Sequence, residues 1–321
     1  MVPTELIITL LQVLIFPGII FLLGLAFVYE WVDRKFYARL QNRYGPLHTG
    51  PSGLLQPFAD FVKLLAKEDI TPQAVDKLLF AATPILLLAI PMAALFCIPM
   101  TGLTALVSFE GDLIYVIFLS TLISMATFLA AWSSTNPFSI IGGLRAAFQM
   151  LGYEVPMAIV MVCPAIAAGT LNISGIVAKQ GTSGLWFILS QPLGFVILLI
   201  CLLAEVKRIP FDIPEAETEI VAGWLTEFSG RKLALLRLSI DMELVFAAAL
   251  TTALYLGGPA GPAPIPAIIY FLIKTTIVVL ILSNLRTLFA RFRIDQMVHG
   301  SWKFLTPLAI LQVILVELTV G

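Results

Sequence analysis

Windows of about twenty consecutive apolar residues recur along this sequence, and that recurrence constrains the fold more than any other feature. An α-helix needs about that length to cross a hydrocarbon core roughly 30 Å thick. In lipid every backbone polar group must be satisfied inside a helix or a closed barrel. Residues 82–100, ATPILLLAIPMAALFCIPM, do not alternate in polarity as a barrel strand must, which leaves helices. Composition agrees: 59% of the 321 residues are hydrophobic and 12% are charged, with a mean hydropathy of +0.98, against about 25% charged in soluble domains. The expected fold is an all-α membrane protein, a single polytopic domain over residues 1–321.

The apolar windows predict eight transmembrane helices, near 6–29, 78–100, 112–132, 153–169, 186–204, 237–256, 265–285 and 304–320. Pro17-Gly18 in the first and Pro84, Pro91 and Pro99 in the second predict kinks that neighbouring helices must satisfy. The first twenty residues lack a basic leader and a small-residue cleavage site, so the first span is expected to be retained. No internal repeat of the kind built into inverted-repeat carriers is visible, which weighs against a free-standing transporter.

A net charge of −1 provides no basic field for nucleic acid. Cys97, Cys163 and Cys201 stand singly in apolar runs without metal or cluster spacing, and His48 and His299 fall in polar connections, so no haem or metal is expected. Neither a phosphate loop nor a dinucleotide fingerprint occurs. No cofactor is expected to bind this chain. Seventeen of the nineteen Lys and Arg residues fall in the connections after spans one, three, five and seven or at their edges. Lys179 is alone on the other side and Lys274 lies inside a span. The positive-inside rule then places those four connections in the cytoplasm and both termini outside the cell membrane.

Residues 54–68, LLQPFADFVKLLAKE, are too short to span. They place Leu54, Leu55, Phe58, Phe61, Val62 and Leu65 on one helical face, as an amphipathic surface helix would. Trp31, Phe36 and Tyr37 interleave with Arg34, Lys35, Arg39 and Arg43, a pattern of interfacial anchoring that, with Arg208, Arg291 and Arg293, is also a candidate contact surface for a cytoplasmic partner.

Ionisable groups inside a membrane cost roughly 2.5–3.5 kcal/mol each on insertion scales, so each one demands a reason. Glu154 opens the fourth span, Glu205 closes the fifth, Asp241 and Glu243 lie within the sixth, and Lys274 sits near the middle of the seventh. The acidic loop 205–236 adds Asp212, Glu215, Glu217 and Glu219 to rigid, apolar sequence suited to folding against a surface. Acids close enough to share protons could relay charge from the cytoplasmic face towards Lys274. Alternatively, they pair with Lys207, Arg208 or one another. Depth along the seventh span leads to the expectation that Lys274 faces Glu243. Glu317, near the outer end of the last span, is expected to snorkel outward.

DRKFYARLQNRYGP, GPSGLLQPFADFVKLLAKE, Tyr153-Glu154, EVKRIPFDIPEAETEIVAGWLTEFSG, FLIKT and RFRIDQMVHGSWKFLTPLAI resemble, in order, the signature blocks of the H-subunit (subunit 1) family of respiratory complex I. Its relatives in energy-converting, membrane-bound nickel-iron (NiFe) hydrogenases share them. The resemblance covers nearly the whole chain. It implies a non-catalytic heel subunit of eight spans and one surface helix, joining a cytoplasmic redox arm to antiporter-like membrane subunits. It also implies that Glu205, Asp212, Glu215, Glu217 and Glu219 match an acidic funnel, with Glu154, Glu243 and Lys274 farther in; Asp241 has no counterpart. Quinone-reducing members read RIGPN where this chain reads RYGPLHTGP, with Leu47 and His48. That departure favours a ferredoxin-linked hydrogenase, whose large and small subunits carry nickel-iron and iron-sulfur clusters and whose complex moves H⁺ or Na⁺. A quinone-chamber subunit of a complex I-type dehydrogenase is the alternative.

Overall fold

The computed structural model describes residues 4–262 and 264–320, and these contain helices and no strand. The first span is broken: α1 (Thr4–Leu14) and α2 (Ile19–Leu40) meet at Pro17-Gly18, where proline has no N–H for the helical ladder. A surface helix α3 (Gln56–Ala66) follows, then α4 (Lys77–Phe96), α5 (Asp112–Ser133) and α6 (Pro137–Ala168). After α7 (Ile173–Ser183) and the single turn α8 (Phe187–Ser190) come α9 (Pro192–Glu205) and another single turn, α10 (Glu217–Ile220). The last four are α11 (Gly230–Tyr255), α12 (Ala267–Leu288), α13 (Ile294–Gly300) and α14 (Thr306–Val320), with a π-type turn at Ser301–Leu305.

Local chemistry fixes the ends. Asp76 caps α4 by accepting from the amides of Leu78 and Leu79 at 3.1 and 3.2 Å. Asn136 caps α6 by accepting from Phe138 N at 2.8 Å, and Gly169 ends that helix in a left-handed turn. Pro84 and Pro91 stay inside α4, and Pro156 and Pro164 inside α6.

Among the described residues, six stretches are long and apolar enough to cross a membrane: Ile8–Leu40, Lys77–Phe96, Asp112–Ser133, Pro137–Ala168, Ala267–Leu288 and Ile294–Thr319. The fifth and sixth expected spans correspond to α9 and α11. The fifth starts later than residue 186, at Pro192, and its 14 residues rise only about 21 Å. The sixth starts earlier, at Gly230, and residues 242–259 are all buried, so α11 is the axis around which the others pack. The fourth span is also longer than expected, because α6 begins at Pro137 and carries Arg145 and Glu154 within it.

Taking α1 with α2, the long helices alternate in direction between two ends. One, the charged end, gathers the C-termini of α2, α9 and α12, the loop 206–229, α3 and α13. The other, the far end, holds α7 and the 256–262 turn. The larger core surrounds α11. A smaller one at the charged end stacks Phe80 on Phe228 at 4.2 Å beside Trp224. The surface helix forms as expected: Phe58 and Phe61 both pack on Phe27 at 5.7 Å, while Leu55, Phe58 and Val62 remain exposed.

Candidate charge-transfer site

The charged end contains a lattice of buried and half-buried ion pairs. Arg208, in the loop after α9, reaches Glu30 at 3.0 Å, Asp33 at 3.7 Å and Asp241 at 3.8 Å. Arg34 bonds Glu30 at 2.6 Å and Asp60 of α3 at 2.8 Å. Arg286 of α12 bonds Asp33 at 2.6 Å and lies over the Tyr37 ring at 4.3 Å. Burial works against the Arg208 charge, but Glu30, Asp33 and Asp241 outweigh it and push the guanidinium further into its charged form. The lattice ties α2, α3, α11 and α12 to one loop residue.

Arg208 therefore faces inward, which corrects its expected place on a partner surface. Of the other expected contact cations, Lys35 donates to the carbonyls of Pro46 and Ser52 at 2.9 and 3.1 Å. Arg39 lies over Tyr44 and Arg43 over Tyr37. Arg291 meets Asp212 at 3.6 Å and Glu219 at 3.3 Å, and Arg293, largely exposed, meets Asp295 at 3.3 Å.

Towards the membrane interior, Lys207 Nζ donates to Glu243 Oε2 at 3.0 Å, with both side chains buried. Lys207 holds a left-handed backbone, φ 56°, rare for a residue with a Cβ and characteristic of strained functional positions. Gln149 of α6 fixes the same segment by donating to the carbonyls of Ala204 and Phe211 at 2.7 and 2.9 Å. Glu205, the last residue of α9, is 1% exposed, and its carboxyl oxygens make no hydrogen bond of ordinary geometry among the described residues, with only the Ser120 hydroxyl of α5 near enough to interact as a donor. It lies within electrostatic reach of Glu154, Glu243 and Lys207. Glu154 accepts from the Thr121 hydroxyl of α5, and its second oxygen is buried without a partner among the described residues.

The loop acids divide. Glu217 and Glu219 are exposed, and Asp212 and Glu215 are half-buried. Glu219 accepts from Arg145 at 2.6 Å, and that hydrogen bond holds its carboxyl below the ordinary range, whereas burial raises the carboxyl of Asp212. Glu215 lines a cavity of about 320 Å³ together with Glu30, Arg34, Asp60, Arg208 and Asp241. Close backbone approach seats the loop on α6. Gly223 has φ 54°, and a Cβ there would lie 1.8 Å from the Pro214 carbonyl oxygen; a Cβ on Gly142 would meet Trp224 N at 2.6 Å.

The structure thus brings Glu154, Glu205, Glu243 and Lys207 together and draws Asp241 into the Arg208 lattice. It does not bring Lys274 there: that side chain bonds the 256–260 turn at the far end, correcting the expected contact with Glu243. Helical side chains lean towards their own N-terminus. On antiparallel α11 and α12 this carries Glu243 towards the charged end and Lys274 away from it. Glu30, Asp33 and Arg286 have no place among the expected site residues, because ending the first span at 29 put the first two in a solvated connection. The signal was available as three charged residues, Glu30, Asp33 and Arg34, at helical spacing behind an apolar run.

A family model described as NADH dehydrogenase matches residues 11–317. The H subunit of the F(420)H(2) dehydrogenase of Methanosarcina acetivorans is 38% identical over 318 residues, covering 94% of this chain and 90% of its own. The H subunit of the NADH-quinone oxidoreductase of Carboxydothermus hydrogenoformans is 37% identical over 310 residues, 96% and 87% of the two chains, and that of Anoxybacillus flavithermus is 39% identical over 291 residues, 89% and 86%.

Proposed function

The chain belongs to the NADH dehydrogenase family, the H subunit (subunit 1) of complex I-like oxidoreductases, and from that premise we propose that it is the non-catalytic subunit in which electron transfer by a docked redox arm becomes movement of charge. The observation that carries this reading is Glu205. It is a wholly buried carboxyl with the Ser120 hydroxyl as its hydrogen-bonding neighbour and no ion-pair partner among the described residues, and it lies within electrostatic reach of the Lys207–Glu243 pair and of Glu154. An unpaired buried charge is expensive, so its protonation responds strongly to any shift of Lys207 or Glu243. Lys207 and Arg208 are adjacent, so a displacement of the loop that disturbs the Arg208 lattice also moves the partner of Glu243. Charge changes at the loop surface, where a redox partner would dock on Arg145, Glu217, Glu219 and Arg293, would reach Glu205 by that route. The chain itself carries no redox cofactor in this reading; the partner subunits do, and antiporter-like membrane subunits receive the displaced charge.

The names of the relatives favour a dehydrogenase over the hydrogenase suggested by Leu47: the relatives named above are an F(420)H(2) dehydrogenase subunit and two NADH-quinone oxidoreductase subunits, none of them a hydrogenase subunit. The cavity walled by Phe27, Phe61 and Leu64 above Arg208 and Asp241 supports the same reading, since about 300–1,000 Å³ is the range of small-molecule sites and it opens against α3, which follows the RYGPLHTGP run. A NiFe hydrogenase arm is the second reading. Proteins that co-purify in mild detergent separate the two.

The coupling test is Glu205→Gln in the assembled complex. In sealed vesicles, redox-driven ion uptake should be lost while electron transfer to an artificial acceptor persists. Uptake at the parental ratio of ions to electrons would falsify the relay.

A further inference from the structure

At the far end Lys274 occupies a complete cation cage. Its ammonium donates to the backbone carbonyls of Leu256, Gly258 and Ala260 at 2.7, 2.9 and 2.8 Å, and Nζ lies 4.6 Å from the centroid of the Trp186 ring. Three converging acceptors use all three donors of an ammonium, and the aromatic face covers its remaining side. The carbonyls belong to the C-cap residue Leu256 and to the turn that follows α11, beside the helix C-terminus whose dipole adds negative potential. Gln180 takes the adjacent carbonyls of Ala253 and Leu254, each at 3.1 Å, and accepts from Phe187 N. Gly258, at φ 53°, turns the chain so that the three carbonyls point inward, and a Cβ there would press within 3.1 Å of Val177.

A cavity of about 670 Å³ lies on one side of this cage, lined by Gln180, Trp186, Pro259, Pro262 and Tyr270. On the other side α11 runs back thirteen residues to Glu243, about 20 Å, through a segment in which every residue is buried. The cage is therefore the boundary between an open cavity and the dry axis of the molecule.

We propose that Lys274 is a tethered plug: its ammonium fills a site built for a monovalent, ammonium-type cation and so closes the far end of this chain to water and ions. The inference adds to the relay reading, since charge arriving at Glu205 then has no exit along α11, but it concerns passive sealing and stands or falls without redox turnover.

The test uses the assembled complex reconstituted in vesicles with no electron donor present. Under an imposed potential, Lys274→Ala should raise passive proton leak several-fold. Millimolar n-propylammonium, applied on the side the far end faces, should restore tightness. Tetramethylammonium, which carries the charge without N–H donors, should not, and the parent should respond to neither. Should Lys274→Ala fail to assemble, Lys274→Arg replaces three convergent donors with a planar fork that cannot satisfy the same three carbonyls, and leak is expected there as well. A tight vesicle with either substitution, or equal rescue by tetramethylammonium, overturns the plug.

Discussion

At the scale of single residues, the buried pair of Lys207 and Glu243 shows how opposite charges are tolerated in a low-dielectric interior and why removing only one of them is costly. Two buried ions recover much of their desolvation only from each other. Lys207→Met should therefore destabilise the complex by about 3–5 kcal/mol, because it strands Glu243, whereas Lys207→Met with Glu243→Gln should cost less than the single change. Thermal unfolding midpoints of the two variants and the parent, in one detergent, provide the comparison; additive losses would show that the pair does not interact. The acids themselves were legible in the sequence because charge is conspicuous against an apolar background. Their partners were not fully legible. Depth counting assigns Lys274 a level in the membrane, but its partner depends on the direction in which the side chain leaves the helix. In the structure Glu243 meets Lys207 and Asp241 meets Arg208, the cations named in the alternative in which the acids are paired, whereas Glu30 was not among those acids.

At the scale of elements, the 206–229 loop is held to the helices by exposed charge pairs and by glycine-dependent packing, and the two respond to different perturbations. The Arg145 hydrogen bond lowers the Glu219 carboxyl below its ordinary 4.5. A group lowered in the folded state contributes stability that is fully present above its unfolded value and is lost as the pH falls through its folded value. Asp212, raised by burial from 3.8, has the opposite sign: its contribution is largest below that value and fades as the pH rises. Because Glu219 is about half exposed, its two contacts should amount to less than about 1 kcal/mol. Backbone hydrogen exchange in residues 214–224, corrected for intrinsic rate, should rise as the pH drops below about 4.5. In Glu219→Gln it should already be raised at neutral pH, and an unchanged neutral-pH profile would show that these pairs do not hold the loop. Gly223→Ala should act regardless of pH. Its Cβ would collide with the Pro214 carbonyl and its backbone is left-handed, so a loss of more than about 1 kcal/mol and detachment of Trp224 from α6 are expected. Tryptophan fluorescence of the variant against the parent would register that detachment. The sequence marks the loop as half-apolar, hence docked; the short-range glycine contact that docks it is a property of two backbones meeting and has no signature in either segment alone.

At the scale of the whole molecule, the order of helices follows from counting apolar windows, because each long run must cross and each connection must return. The count blurs at α9, whose 14 residues are short for a crossing, and at α11, which the surrounding helices enclose so fully that its own apolarity is not needed to face lipid. Counted by direction, α1 with α2, and then α4, α5, α6, α9, α11, α12 and α14, make eight alternating passes, an even number that brings both ends of the described chain to the far end. Seventeen of the nineteen lysines and arginines lie towards the charged end, and of the other two only Lys179 belongs to the far surface, since Lys274 is buried in its cage. Positive connections are retained in the cytoplasm during insertion, so the charged end should be cytoplasmic and the far end should face outward. Arg293 at the charged end and Thr182 at the far end are both exposed and report the two sides. With a membrane-impermeant thiol reagent and the buried native cysteines as background, Arg293→Cys should label only from the cytoplasmic face and Thr182→Cys only from outside. The opposite pattern would turn the molecule over. It would put the Arg208 lattice and the loop acids beyond the reach of a cytoplasmic redox arm, so the same experiment also bears on which compartment supplies the electrons.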